Sequence, residues 1–162
     1  MRHPSIRPAA LTDLESLLAL ESHSFGSDRL SARSFRHFVR APTVVLRVVE
    51  EGGSIPAYAL MAFRKGSTLA RLYSIAVAAD ARGRGLAGAL LEDAEEIAAA
   101  RGAQRLGLEV RDDNPAAIRL YERRGYAFKG LHRNYYEDGA DARRYEKRLD
   151  RTAFRRPRQP EH

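Results

Sequence analysis

Apolar and polar positions along this chain follow two periods, and the period switches in a fixed order. Ser5–Pro8 reads as a short strand running into a turn. Thr12-Asp13 then opens a helix in which Leu14, Leu17, Leu18 and Leu20 recur at helical spacing through Glu21. After the polar stretch 22–29, Ser31-Ala32-Arg33-Ser34 starts a second short helix carrying Phe35, Phe38 and Val39, which Pro42 ends. Val44–Val49 is a β-branched run, Gly52-Gly53 marks a hairpin, and Ala57–Phe63 forms the second strand. Leu69–Val77 follows the Lys65-Gly66-Ser67 turn and completes an antiparallel meander. Leu86–Ala100 is an amphipathic helix with a stripe of Leu86, Leu90, Ala94 and Ile97, widened by Ala87, Leu91 and Ala98; Gly102 stops it. Arg105–Val110 is a strand, Ala116–Arg124 a helix stopped by Gly125, and Tyr126–His132 and Arg143–Leu149 are closing strands. The strand–helix–strand unit from Leu69 to Val110 demands one parallel pair with a right-handed crossover. The expected fold is a single mixed α/β domain with a mainly antiparallel sheet.

Length and composition narrow the class. The chain has 162 residues, enough for one domain with its own core. No apolar run approaches the ~18 residues of a membrane span, and Met1–Pro8 lacks the apolar core of a signal peptide. The absence of cysteine excludes disulfides, thiolate nucleophiles and cysteine-ligated zinc, and suits a cytoplasmic setting. The net charge is +7, and of the 28 basic residues all but Lys65, Lys129 and Lys147 are arginine. Such a balance favours anionic partners, namely phosphate-bearing cofactors, RNA or a ribosome surface, although solubility alone would also account for it. Residues 1–150 form the expected domain; 151–162 are an Arg- and Pro-rich tail expected to be flexible.

The sharpest local feature is Arg82-Gly83-Arg84-Gly85-Leu86-Ala87-Gly88, between a strand and the best helix. Glycines let backbone N–H groups close on an anion, and a helix N-terminus adds unpaired donors and partial positive charge. Together they form a pyrophosphate cradle, with the two arginines at its rim. Residues 83–88 also spell the dinucleotide-binding fingerprint, but that motif begins directly after its strand; here residues 78–82 intervene, and the preceding strands form a meander. No Gly-Lys-Ser/Thr follows, which excludes a phosphate-loop NTPase.

Arg82 to Ala87 resembles the arginine/glutamine-x-x-glycine-x-glycine/alanine signature of the Gcn5-related N-acetyltransferases, the GNAT superfamily. Asn114 to Tyr126 resembles that superfamily's second signature, an asparagine before a tyrosine-bearing helix that ends in glycine-aromatic. Within it, Ile75-Ala76-Val77, Leu108-Glu109-Val110-Arg111, Asn114 to Tyr121 and Arg133-Asn134-Tyr135-Tyr136 are most similar to the ribosomal protein alanine N-acetyltransferases, which acetylate protein N-termini. The resemblance spans about Ile6 to Leu149. It implies a central parallel strand pair that splays apart, with the pantetheine arm of acetyl-CoA in the gap. The backbone of Ile75, Ala76 and Val77 would lie beside the thioester. Arg82, Gly83, Arg84, Gly85, Leu86, Ala87 and Gly88 would hold the pyrophosphate, and Asn114 and Tyr121 the pantetheine arm. Glu109 would be general base and Tyr121 general acid, while Phe25, Arg29, Tyr135 and Tyr136 would shape the acceptor site. The implied acceptor is a protein N-terminus or a small amine, with possible ribosome association, no membrane and no DNA partner; a non-catalytic module that binds acetyl-CoA or RNA is the alternative on the same scaffold.

Each residue also has a purely structural reading. Glu109 could pair with Arg111 or another arginine at the sheet edge, and Tyr121 could simply pack in an amphipathic helix. Asn114 precedes Pro115 and suits a helix N-cap. Tyr135 and Tyr136 alternate in an expected strand, which would turn one toward the site and one away. The five histidines (3, 23, 37, 132 and 162) show no ligand spacing, so no metal is expected. One segment departs from the branch pattern. Where a Phe-Pro-Trp-like stretch is expected, the chain has Phe25-Gly26-Ser27-Asp28-Arg29-Leu30-Ser31 and no tryptophan anywhere. That loop points to acceptor selection by charge rather than by aromatic packing.

Overall fold

The computed structural model describes residues 4–24 and 30–149. Its elements follow the order that the pattern predicts: β1 (Ser5–Pro8), α1 (Leu14–Ser24), α2 (Ala32–Arg40), β2 (Val44–Glu51), β3 (Ser54–Ala62), β4 (Leu69–Val77), α3 (Leu86–Ala100), β5 (Arg105–Arg111), α4 (Pro115–Arg123), β6 (Ala127–His132) and β7 (Ala142–Arg148). β3 starts three residues before the apolar run does. Gly52 and Gly53 both take positive φ (54° and 84°), the conformation of a tight primed hairpin turn, so pairing resumes at once at Ser54.

The strands form one sheet in the order β1-β2-β3-β4-β5-β7-β6, in which β4–β5 is the parallel pair and every other neighbour is antiparallel. Alternation along β3 divides the core. Ala57, Ala59 and Met61 face α3 and α4, with Leu86, Leu90, Leu91 and Tyr121; Tyr58 and Leu60 face α1 and α2, with Leu17, Leu20 and Phe35. Burying each leucine of the α3 stripe contributes about 2 kcal/mol.

One charged cluster is built into the α3 face. Glu95 is 5% exposed; its carboxylate accepts from Tyr126 Oη and Lys147 Nζ, both at 2.9 Å. It thereby joins α3 to the segment after α4 and to β7. Lys147→Met leaves that carboxylate without a cation and is expected to lower unfolding stability by about 3 kcal/mol, measured by urea titration.

Candidate active site

β4 and β5 lie side by side only from Leu69 opposite Arg105 to Leu72 opposite Leu108. Beyond that point β4 stays on β3 as far as Val77, and β5 stays on β7 as far as Arg111, so the parallel pair splays. The cause is local. Leu60 pairs with Ser74 but Met61 pairs with Leu72, which leaves Tyr73 as an extra residue in β4. This β-bulge bends the strand and inverts its side-chain parity. Leu72 packs on the α3/α4 face, whereas Ala76, four residues on, packs on the α1/α2 face.

A cavity of about 580 Å³ occupies the splay. Asn114, Ala117 and Tyr121 line it from α4, and Glu21, Leu30 and Phe38 from the α1/α2 side; Ser74, Ile75, Leu108 and Glu109 lie between. It therefore joins the two faces of the sheet. The Ala78 N–H donates to Pro56 O at 2.8 Å. Counting back along the strand, the N–H groups of Ile75 and Val77 point away from β3, toward the gap that β5 has left.

The side chains on this cavity are fixed by their neighbours. Asn114 Oδ1 accepts from Ala117 N at 3.2 Å and caps α4, with Pro115 in the first turn, so the capping reading holds while the residue also lines the cavity. Tyr121 is buried, its ring edge-on to Tyr126, and burial pushes its phenol up to about 12. Glu109 receives Arg71 Nη2 at 2.5 Å, with Arg144 Nε at 3.8 Å. Its ion-pair partners are thus Arg71 and Arg144; Arg111 instead pairs with Asp113 and Asp138 and lies over the Tyr136 ring.

Tyr135 and Tyr136 do not alternate in a strand. They lie in the loop between β6 and β7, where Asn134 adopts a left-handed φ of 53° and donates its N–H to Asp141 Oδ1 at 3.0 Å. The loop sets their rings edge to face, and Tyr136 lines the cavity. Burial raises both phenols, and for Tyr135 the Glu109 charge adds to it. Phe25 and Arg29 lie outside the described residues.

The glycine loop lies at the start of α3. Gly83 and Gly85 have φ of 80° and 77°, and Gly85 is the N-cap of α3. No side chain caps this 15-residue helix and no acid stands in its first turn, which leaves its N-terminal donors and partial charge open to an anion. Arg82 is exposed; Arg84 is drawn to Glu51, with one bond of 3.0 Å. Gly88 is buried, and a Cβ there would collide with the Arg124 guanidinium, which also brings a cation to this helix start.

The residues that sequence spacing did not single out are Arg71, Arg124, Tyr73 and Glu21. Three of them meet their partners only across elements, and Tyr73 owes its place to a pairing irregularity. Among the described residues no cluster of three or more His, Asp or Glu could hold a metal ion, and no helix is long and apolar enough to cross a membrane.

The model of the "Acetyltransferase (GNAT) family" matches residues 10–126. The chain belongs to the GNAT acetyltransferase family. A GNAT relative in Bacillus subtilis, assigned as a ribosomal protein bS18-alanine N-acetyltransferase, is 30% identical over 139 residues, covering 85% of this chain and 91% of its own. The streptothricin acetyltransferase of Streptomyces lavendulae is 34% identical over 88 residues, 54% of this chain and 47% of its own. Among solved structures, the ribosomal-protein-S18-alanine N-acetyltransferase of Escherichia coli superposes with a TM-score of 0.78 at 29% identity, covering 98% of each chain.

Two outcomes follow for this GNAT site. Gly85→Ala forces a side chain into the left-handed region and should lower stability by about 1–2 kcal/mol in a thermal melt, although open space surrounds the position. The raised Tyr121 phenol binds its proton more tightly in the folded chain. Its contribution is therefore intact below pH 10 and lost as pH rises toward 12, where the unfolded chain ionises first. Tyr121→Phe should remove about 2 kcal/mol of the fall in unfolding free energy between pH 10 and 12.

Proposed function

We propose that this chain transfers an acetyl group from acetyl-CoA to the free α-amine of a protein N-terminus, in the cytoplasm. The observation that carries the reading is the cavity at the parting of β4 and β5, which brings Glu109, Asn114 and Tyr121 together with the open Ile75 N–H. The donor fits the residues present. The uncapped start of α3, with Gly83, Gly85 and the nearby Arg124, would take the pyrophosphate, and the free edge of β4 and Asn114 would take the pantetheine arm. When bound, acetyl-CoA supplies an activated acetyl thioester.

The chain's own residues divide the remaining work. An α-amine has a pKa near 8, so about a tenth is neutral at pH 7, whereas a lysine at ~10.4 would cost about 3.3 kcal/mol more to deprotonate. Modest assistance therefore suffices, and Glu109 accepts that proton directly or through water, held in place by Arg71. The Ile75 N–H donates to the carbonyl oxygen as negative charge gathers there. Tyr121 stays protonated throughout the neutral range and gives its proton to the departing sulfur. Arg71, Arg144 and the Tyr135–Tyr136 pair surround the Glu109 carboxylate and would frame the acceptor.

A second reading, acetylation of a small-molecule amine, is favoured by the similarity to the streptothricin enzyme. One assay separates the two: acetyl-CoA with alanine-headed peptides, including the N-terminal sequence of ribosomal protein bS18, or with a panel of small amines, following thiol release. The expected result is peptide-dependent release whose kcat falls about 100-fold in Tyr121→Phe and in Glu109→Gln. Its kcat/KM should rise with deprotonation of the α-amine near pH 8 and hold to about pH 10, because Tyr121 does not ionise in that interval. Release with small amines alone would establish the second reading instead.

A further inference from the structure

The cavity holds a second carboxylate that this mechanism leaves unused. Glu21, in the last turns of α1, is 2% exposed and lines the cavity from the α1/α2 side. Its Oε2 accepts from Leu30 N at 2.7 Å, which ties the start of the segment leading into α2 back to α1. Its Oε1 has no hydrogen-bond partner among the described residues. On the same side of the sheet Leu30, Phe38, Val44, Leu60 and Ala62 give the cavity an apolar lining. Glu109 is satisfied by Arg71 and Arg144, and Arg111, which also lines the cavity, is engaged by Asp113 and Asp138. A carboxylate oxygen removed from water and left without a donor among the described residues is costly to the fold, and an incoming donor would offset that cost. Burial already raises the Glu21 carboxyl above its usual range, and an incoming cation would offset that desolvation.

We propose that Glu21 is an acceptor-binding residue, whose Oε1 takes an N–H of the protonated amino group that the acceptor brings in from the α1/α2 side of the sheet. The assignment rests on the acetyl-transfer reading of the cavity but not on the acceptor being a protein N-terminus. Most of an α-amine is protonated at pH 7, so the acceptor enters as a cation into a low-dielectric pocket where the Glu21 carboxylate has no ion-pair partner among the described residues. The proton is then given up at the Glu109 end, where the neutral amine attacks. The acetylated product is a neutral amide and has no charge to hold against Glu21, which favours its release.

The test couples the charge of the protein to the charge of the ligand. Calorimetric titration of the CoA-saturated protein uses two pairs of probes: an alanine-headed tripeptide with its desamino counterpart, and n-butylamine with n-butanol. Glu21→Gln keeps an oxygen for the Leu30 N–H and removes only the charge. It should weaken binding of the amine member of a pair about tenfold and leave the uncharged member and CoA unchanged. Its melting temperature should not fall, because a buried charge has been removed. If turnover is followed, the acceptor KM rises while the acetyl-CoA KM holds. A tenfold loss confined to n-butylamine supports Glu21 and sinks the N-terminal reading; one seen with the tripeptide supports both. Equal weakening of both members of each pair, no change in either, or no binding of any amine overturns the assignment. Glu21→Ala, which also loses the Leu30 anchor, should destabilise the fold and thereby separates anchoring from charge.

Discussion

Everything at this site depends on one irregularity, the parting of β4 from β5 after Leu72. A parallel pair that stayed zipped would satisfy its own backbone and leave no opening. The bulge at Tyr73 bends β4 while β7 holds β5 on course, so the two strands diverge by construction. Three consequences share that cause. Backbone N–H groups on β4 are left for a ligand, a cavity opens between the two faces of the sheet, and the parity of β4 inverts. Without the inversion, Ile75 and Val77 would not pack with the α3/α4 core while Ala76 packs with α1/α2.

Several charges are paired between elements that are distant in sequence. Arg71 of β4 holds Glu109 of β5, Arg47 of β2 holds Asp93 of α3, and Arg111 of β5 holds Asp138 in the β6–β7 loop. The planar guanidinium can engage a carboxylate with two parallel donors, which a lysine cannot do. This assigns some of the arginine excess to fixing the sheet and its site. Of the two described glutamates that line the cavity, Glu109 belongs to this scheme and Glu21, on the face opposite α4, has no cation partner among the described residues.

Much of the fold could be read along the chain because its signals are local. The Gly52-Gly53 turn, the α3 stripe and the Asn114-Pro115 start of α4 each act within a few residues; α3 formed over its expected span, α4 within one residue of it, and β3 began three residues early. The glycine loop was equally legible, since positive φ at Gly83 and Gly85 is a property of single residues. Legibility ended where partners are distant in sequence. Nothing near Glu109 distinguishes Arg71 from Arg111 as its partner, and Tyr135 and Tyr136 carry the alternation of a strand although the left-handed Asn134 places them in a loop.

The sequence by itself determined the elements, their order, the parallel crossover from β4 to β5 and the anion-ready start of α3, because hydrophobic period, glycine conformation and helix termini are short-range properties. The tertiary structure decided that β7 inserts between β5 and β6, that β4 bulges at Tyr73, which arginine holds Glu109, and that the Glu21 carboxylate is buried beside the same cavity with no second donor among the described residues. Those outcomes follow from which backbone edges and charges meet across the sheet. Strand pairing and burial are satisfied by the whole chain at once, and no local window records them.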